Sequence, residues 1–153
     1  MKVEKKLEEL GIEIPKAAAP AAMYVPVKQT GNLLFVSGQI PVKDGVMQFE
    51  GKAGKDKTLE EATSAARLCA INIIAAVKGF ISDLDKVKSI VKITVFVASE
   101  TGFDKQHLVA NGASQLLFDA FGEAGRHTRS AVSVNQLPLN ATVEVEAIIE
   151  IEN

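Results

Sequence analysis

From Val143 to Ile151 the chain reads VEVEAIIEI, an alternation that an extended strand turns into two distinct faces. Val143, Val145, Ala147, Ile149 and Ile151 fall on one side; Glu144, Glu146, Ile148, Glu150 and, just beyond, Glu152 fall on the other. The first side has to be buried. Ile148 interrupts the acidic side, so that side is expected to be covered in part, at a subunit contact or a cleft. Upstream, Ser130 to Val134 alternates again, and Leu137-Pro138-Leu139-Asn140 supplies a proline-fixed φ and a turn-prone asparagine. Arg126 to Glu146 therefore reads as two strands and a turn, and the functional site is expected here. If the two strands are neighbours, Arg129 at the start of the first can reach the Glu144 region of the second. A guanidinium beside a carboxylate can be a plain ion pair or a carboxylate-binding fork next to a base, and the strands alone leave both open.

The rest of the chain supplies what covers the buried side. Thr58-Leu59-Glu60-Glu61 has the spacing of a capping box, and Leu59, Ala62, Ala66, Cys69, Ala70, Ile73, Ile74 and Val77 follow the helical repeat to Gly79. This is the long core helix, its alanine-rich stripe allowing close approach to a sheet. Asp104 to Phe121 is a second helix, ended by Gly122 and Gly125. Between them Val87 to Ala98 is a β-branched run, apolar on both faces, as in a central strand. Tyr24–Gln29 and Leu33–Ser37 form a hairpin about Thr30-Gly31-Asn32, and Val46 to Phe49 reads as a further short strand or an irregular stretch. Val3 to Leu10 is a short amphipathic helix stopped by Gly11, expected on the outside of the domain; Pro15 and the AAAPAA run after it form a stiff connector. Two helices on one face of a mixed sheet make an α+β fold. At 153 residues this is one domain, read as a helical extension over 1–14 and the domain proper over 15–153.

Several function classes lose support. A formal charge of −2 and pI near 5.7 give no electrostatic draw toward nucleic acid. No apolar run is expected to be long enough to span a bilayer, and the charged amino end MKVEKKLEEL is unlike a secretion signal, so the cytoplasm is the expected compartment and no membrane partner is expected. The single cysteine excludes an internal disulfide; Cys69 reads as a small core residue. There is no GxxxxGK[ST], GxSxG, CxxC or HExxH, so phosphate cradles, serine-hydrolase elbows and common zinc sites are unsupported. His107 and His127 have no partner visible in sequence and read as surface or helix-terminus residues, and Asp56 and Lys57 as loop residues.

Thr128-Arg129-Ser130-Ala131-Val132, then Leu137-Pro138-Leu139, then Val143-Glu144-Val145-Glu146-Ala147-Ile148 resembles the carboxy-terminal signature of the RidA/YjgF-type reactive-intermediate deaminases, also labelled L-PSP endoribonucleases or translation inhibitors. Tyr24-Val25 and the run from Gly31 to Pro41 are similar to that family's amino-terminal hairpin, and Val91 to Val97 to its central strand. The resemblance runs from about Ala19 to Ile151. It implies the chorismate-mutase-like (YjgF-like) fold, a homotrimer with clefts between subunits, and no metal or organic cofactor. It implies further that Arg129 forks onto the carboxylate of a 2-imino or 2-enamino acid, and that Glu144 positions the water that hydrolyses it to a 2-keto acid and ammonia. Tyr24, Ser37, Gly38 and Asn111 match positions that line the family's pocket. The chain departs from the family in Ala131, where a cysteine is frequent, and in His127-Thr128, where Pro-Ala is usual; the pair Arg126 and His127 either adds positive charge at the mouth of the site, shifting the preferred acid, or is simply exposed.

Two classes of function follow: a cofactor-free deaminase, or a non-catalytic trimer that binds a small carboxylate metabolite. A ribonuclease is a weaker reading, since an acidic pI, one tyrosine, no tryptophan and no evident histidine pair supply neither backbone-tracking charge nor a stacking platform. A chorismate mutase proper would share the fold, which by itself confers no function.

Overall fold

In the computed structural model, residues 1–17, 19 and 22–153 are described. The chain runs α1 (Lys2–Glu9), β1 (Val27–Thr30), β2 (Leu33–Gln39), β3 (Val42–Lys43), β4 (Val46–Met47), α2 (Leu59–Ile81), β5 (Val87–Ala98), α3 (Gln106–Phe121), β6 (Thr128–Val134) and β7 (Val143–Ile151). Five strands form one mixed sheet in the order β1-β2-β7-β5-β6, antiparallel except for the parallel β5–β6 pair. Helices α2 and α3 cover one face, giving the expected α+β layers. The alternating faces of β7 are as its sequence dictates: Val143, Val145, Ala147, Ile149 and Ile151 are all buried beneath the helices.

The adjacency of the last two strands is corrected. β5 lies between β6 and β7, so Arg129 and Glu144 do not sit on neighbouring strands. The cause is the β5–α3–β6 unit, a parallel crossover that places β6 on the outer side of β5. β7 can then pair only on the inner side, and the Leu137–Asn140 segment carries the chain across the end of β5, where Ala98 N–H donates to the Thr142 carbonyl at 2.9 Å. In this crossing Leu139 and Asn140 both take left-handed backbone (φ 57° and 58°).

Other boundaries shift for local reasons. β1 begins at Val27, not Tyr24, because Pro26 has no N–H to give the ladder; its carbonyl still accepts from Ser37 N–H at 2.9 Å. The strand expected at 46–49 is the second arm of a minimal hairpin, β3–β4, turning on Asp44-Gly45, both at positive φ. α2 has the capping box as read: Glu61 N–H donates to Thr58 Oγ1 and Thr58 N–H to Glu61 Oε1, each at 3.1 Å. It runs through Gly79 to end at Ile81. This helix is, by length and composition, apolar enough to cross a membrane, contrary to the expectation that no stretch is. Its apolar side is instead the floor of the core, with Ala62, Ala65, Ala66, Cys69, Ala70 and Ile73 buried. α2 and α3 approach so closely at Gly112 that a Cβ there would collide with the Thr63 carbonyl.

α1 is less peripheral than its sequence implies. Leu7 is fully enclosed within the main core and Val3 and Leu10 pack against it. The free N–H groups of the first turn, Lys2 and Val3, donate to the Asp85 carboxylate at 2.8 and 2.9 Å, and Glu4 pairs with Lys78 at 2.9 Å. Of the connector, Pro15 to Ala17 is irregular; Ala18, Pro20 and Ala21 lie outside the described residues.

Candidate functional site

Strand register decides which side chains can meet. Arg129 stands opposite Ile93, which stands opposite Ala147, and all three point toward the helices. Glu144 stands opposite Phe96, one residue out of phase with that set, and so points to the open face of the sheet. With β5 between their strands, the two are also about 10 Å apart across the sheet. Within one protomer, the arginine and the glutamate that the sequence pairs are on opposite faces.

The arginine side is built on α3. Arg129 Nη1 donates to Asn111 Oδ1 at 2.8 Å and to Ser114 Oγ at 3.0 Å, and Nη2 donates to the His107 carbonyl at 3.0 Å. Three of the five guanidinium donors are thus fixed by protein; among the described residues Nε–H and one Nη2–H have no partner, the number that the two oxygens of a carboxylate accept. Asn111 has the tertiary partner its place inside a helix calls for. Ser114 was not identified from the sequence, although at one helical step from Asn111 it shares that face. His127, read as a surface residue, is half-buried: Nδ1 lies 2.7 Å from the Gly125 carbonyl and Nε2 2.8 Å from Ser114 Oγ. Burial, against the Gly125 hydrogen bond and together with the charge of Arg129, lowers its pKa below the ordinary histidine value, which favours the neutral ring. These groups line a groove of about 980 Å³ with Arg67 and Arg126 at its sides. Arg126 pairs with Glu123 and lies over the Phe118 ring, 5.4 Å from its centroid, so it is partly occupied.

The glutamate side is a cavity of about 590 Å³ lined by Tyr24, Ser37, Gly38, Asn72, Leu139 and Glu144. Gly38 has a steric reason: a Cβ would lie 2.8 Å from Glu144 Cδ. Ser37 Oγ donates to the Val25 carbonyl at 2.7 Å, which secures the chain beside Tyr24 and leaves the hydroxyl oxygen able only to accept. Asn72 Nδ2 ties down the cavity wall through the Ile40 and Val42 carbonyls at 3.0 and 2.9 Å. Burial, and then the neighbouring Glu146, raise Glu144 above the ordinary carboxylate value. A carboxyl raised in this way exchanges protons more readily near neutrality, as a general base that must later act as an acid requires.

The candidate residues therefore form two groups: Tyr24, Ser37, Gly38 and Glu144 share one cavity, and Arg129 and Asn111 share the other. Cys69 stands apart from both, its S–H directed at the Val143 carbonyl at 3.6 Å and its thiol pushed up by burial, as a core residue. His107 contributes only its carbonyl. Among the described residues Glu4, Asp83 and Asp85 are close enough together to hold a cation; Glu4 Oε1 accepts from Lys78 and Leu84 N–H, Asp83 Oδ1 from Asp85 N–H and the Asp85 carboxylate from Lys2 and Val3 N–H, which seats α1, while Glu4 Oε2 is buried with no partner among the described residues.

Residues 4–151 match the family described as YjgF/chorismate mutase-like, putative endoribonuclease, a span that begins within α1. The chain is 46% identical over 153 residues to Protein TCP17 of Trypanosoma cruzi, covering 99% of this chain and 96% of that one. It is 28% identical over 141 residues to a 2-iminobutanoate/2-iminopropanoate deaminase of Dermatophagoides farinae, covering 92% of this chain and 95% of that one. Among solved structures it is similar to a protein of unknown function from Agrobacterium tumefaciens, with a TM-score of 0.93 and 47% identity over 98% of this chain and 92% of that one.

Proposed function

Because the chain belongs to the YjgF/chorismate mutase-like family, we propose that it is a cofactor-free deaminase that hydrolyses 2-imino or 2-enamino acids to 2-keto acids and ammonia, in clefts built by two copies of the chain. The observation that carries this reading is the division of the site. One face holds an arginine anchored by three bonds with two donors to spare, the opposite face holds a glutamate raised above its ordinary value beside an open cavity, and a single chain cannot join them. A trimer, in which the Arg129 face of one copy meets the Glu144 face of the next, completes the site. Its contact surface is available on the open face of the sheet, where Phe35 and Val132 are each 44% exposed and Ile148 interrupts the acidic row. The relative named as an iminobutanoate/iminopropanoate deaminase supports the choice of substrate class.

The chemistry is modest and balances without a cofactor. The free Arg129 donors take the substrate carboxylate, which fixes the distance from C2 to a water held by Glu144. The Ser37 oxygen, its own proton committed to Val25, accepts the imine N–H. Glu144 takes a proton from water as the oxygen bonds to C2 and the C=N π electrons move to nitrogen, and passes that proton to the nitrogen to give the neutral carbinolamine; it then takes the carbinolamine hydroxyl proton and hands it to the amine nitrogen, so that as the C–N bond breaks ammonia leaves, the C2 oxygen becomes the keto group and Glu144 is again a carboxylate.

The test generates 2-imino acids with an amino acid oxidase and follows semicarbazone formation. Wild-type protein is expected to suppress the semicarbazone and both Arg129→Ala and Glu144→Ala to restore it. No suppression by wild type across alanine-, aminobutyrate- and leucine-derived imines would sink the deaminase reading. Carboxylate binding that persists without turnover and is lost in Arg129→Ala would then identify the binding trimer.

A further inference from the structure

The proton arrangement around Arg129 is fixed by what each atom is able to do. The Gly125 carbonyl can only accept, so His127 Nδ1, 2.7 Å away, carries the hydrogen. In the neutral imidazole Nε2 is then a bare acceptor, and the Ser114 hydroxyl 2.8 Å from it must donate. Its proton committed, Ser114 Oγ is left with lone pairs, one of which takes Arg129 Nη1–H at 3.0 Å. The chain of bonds has a single direction: Arg129 to Ser114, Ser114 to His127, His127 to the Gly125 carbonyl.

We propose that His127 is a positioning residue for the carboxylate-binding arginine: acting through Ser114, it fixes the rotation of the Arg129 guanidinium and with it the direction of the two donors left for the substrate. The proposal rests on the reading of Arg129 as the carboxylate ligand. It also implies a direction for pH dependence. An imidazolium donates from both nitrogens, so Ser114 can no longer give its proton to Nε2, and a second cation stands beside the guanidinium. The charged groups lining the same groove are Arg126 and Arg129 from the segment that carries His127, Asp119 from α3 and Arg67 from α2, three cations to one anion. Acid therefore works against the neutral histidine and loosens the anchor, at a lower pH than an ordinary histidine would, the direction in which burial and Arg129 shift it.

The experiment is equilibrium binding of 2-oxobutanoate, by calorimetry or NMR titration, to wild type, Arg129→Ala, Ser114→Ala, His127→Ala and His127→Gln, each checked by thermal melting. Arg129→Ala is expected to abolish binding. Ser114→Ala and His127→Ala are expected to weaken it about tenfold, the loss of one hydrogen bond to a charged group. His127→Gln is expected to recover most of that loss, because its amide oxygen can accept from Ser114, and to flatten the fall in affinity that wild type shows on acidification. Long-range proton–nitrogen spectra of the wild type are expected to show the Nδ1–H tautomer. If His127→Ala melts and binds like wild type, or the tautomer is Nε2–H, the positioning role is overturned while the carboxylate reading survives. Undiminished binding by Arg129→Ala would overturn the carboxylate reading and this proposal with it.

Discussion

The fold makes the charged form of Glu144 costly. Its carboxyl is raised above the ordinary value, by burial first and Glu146 second, so the ionised form is less stable in the fold than in the unfolded chain. The sign follows: the penalty is present above its folded value and vanishes as the pH falls and the group takes a proton in both states. Glu144→Gln is therefore expected to melt higher than wild type near neutrality, with the gap closing as the pH falls, while turnover falls at least about a hundredfold. Gly38→Ala separates site from stability in another way. Gly38 is not at positive φ, so alanine fits its backbone, and the new Cβ displaces only the mobile end of Glu144, whose Cδ lies 2.8 Å away. Activity should drop at least about tenfold with a melting temperature within about 2 °C of wild type. The sequence names both residues through resemblance but carries no sign of their contact, which depends on the irregularity in β2–β7 pairing between Val36 and Gln39.

At the level of elements, α1 is the test of how far a helix can be judged by its own residues. Its stripe of Val3, Leu7 and Leu10 announces an apolar side, yet the groups that hold it, Asp85 at its amino end and Lys78 against Glu4, are more than seventy residues away in the chain. No local pattern shows such a seat. Leu7→Ala is expected to cost about 3 kcal/mol in urea unfolding, the value for a fully enclosed leucine rather than for one on an outer helix. The capping box of α2, by contrast, is legible because both partners lie within four residues. The order of β6 and β7 was not: a turn signal says that the chain reverses, not which strand it returns beside, and the parallel crossover through α3 had already taken the adjacent place. Gly112 makes a like point about α2 and α3. Gly112→Ala, which forces the helices apart at the Thr63 carbonyl, is expected to destabilise by about 2 kcal/mol although alanine is the better helix former.

For the whole molecule, the decisive feature is that Arg129 and Glu144 occupy opposite faces of one sheet. On the proposed reading each cleft takes its arginine from one copy and its glutamate from another, which makes a mixing experiment informative. Arg129→Ala and Glu144→Ala, each inactive alone, are expected to regain activity when unfolded and refolded together, because random assembly at equal amounts gives intact clefts at about one contact in four. Light scattering should find trimers; recovered activity in a monomeric preparation would refute the shared site. A chain that carries both halves of a cleft yet closes neither alone has a reaction order above one in its own concentration. Dilution below the assembly constant would then switch the chemistry off without any inhibitor, and specific activity would serve as a gauge of how much of the protein is assembled.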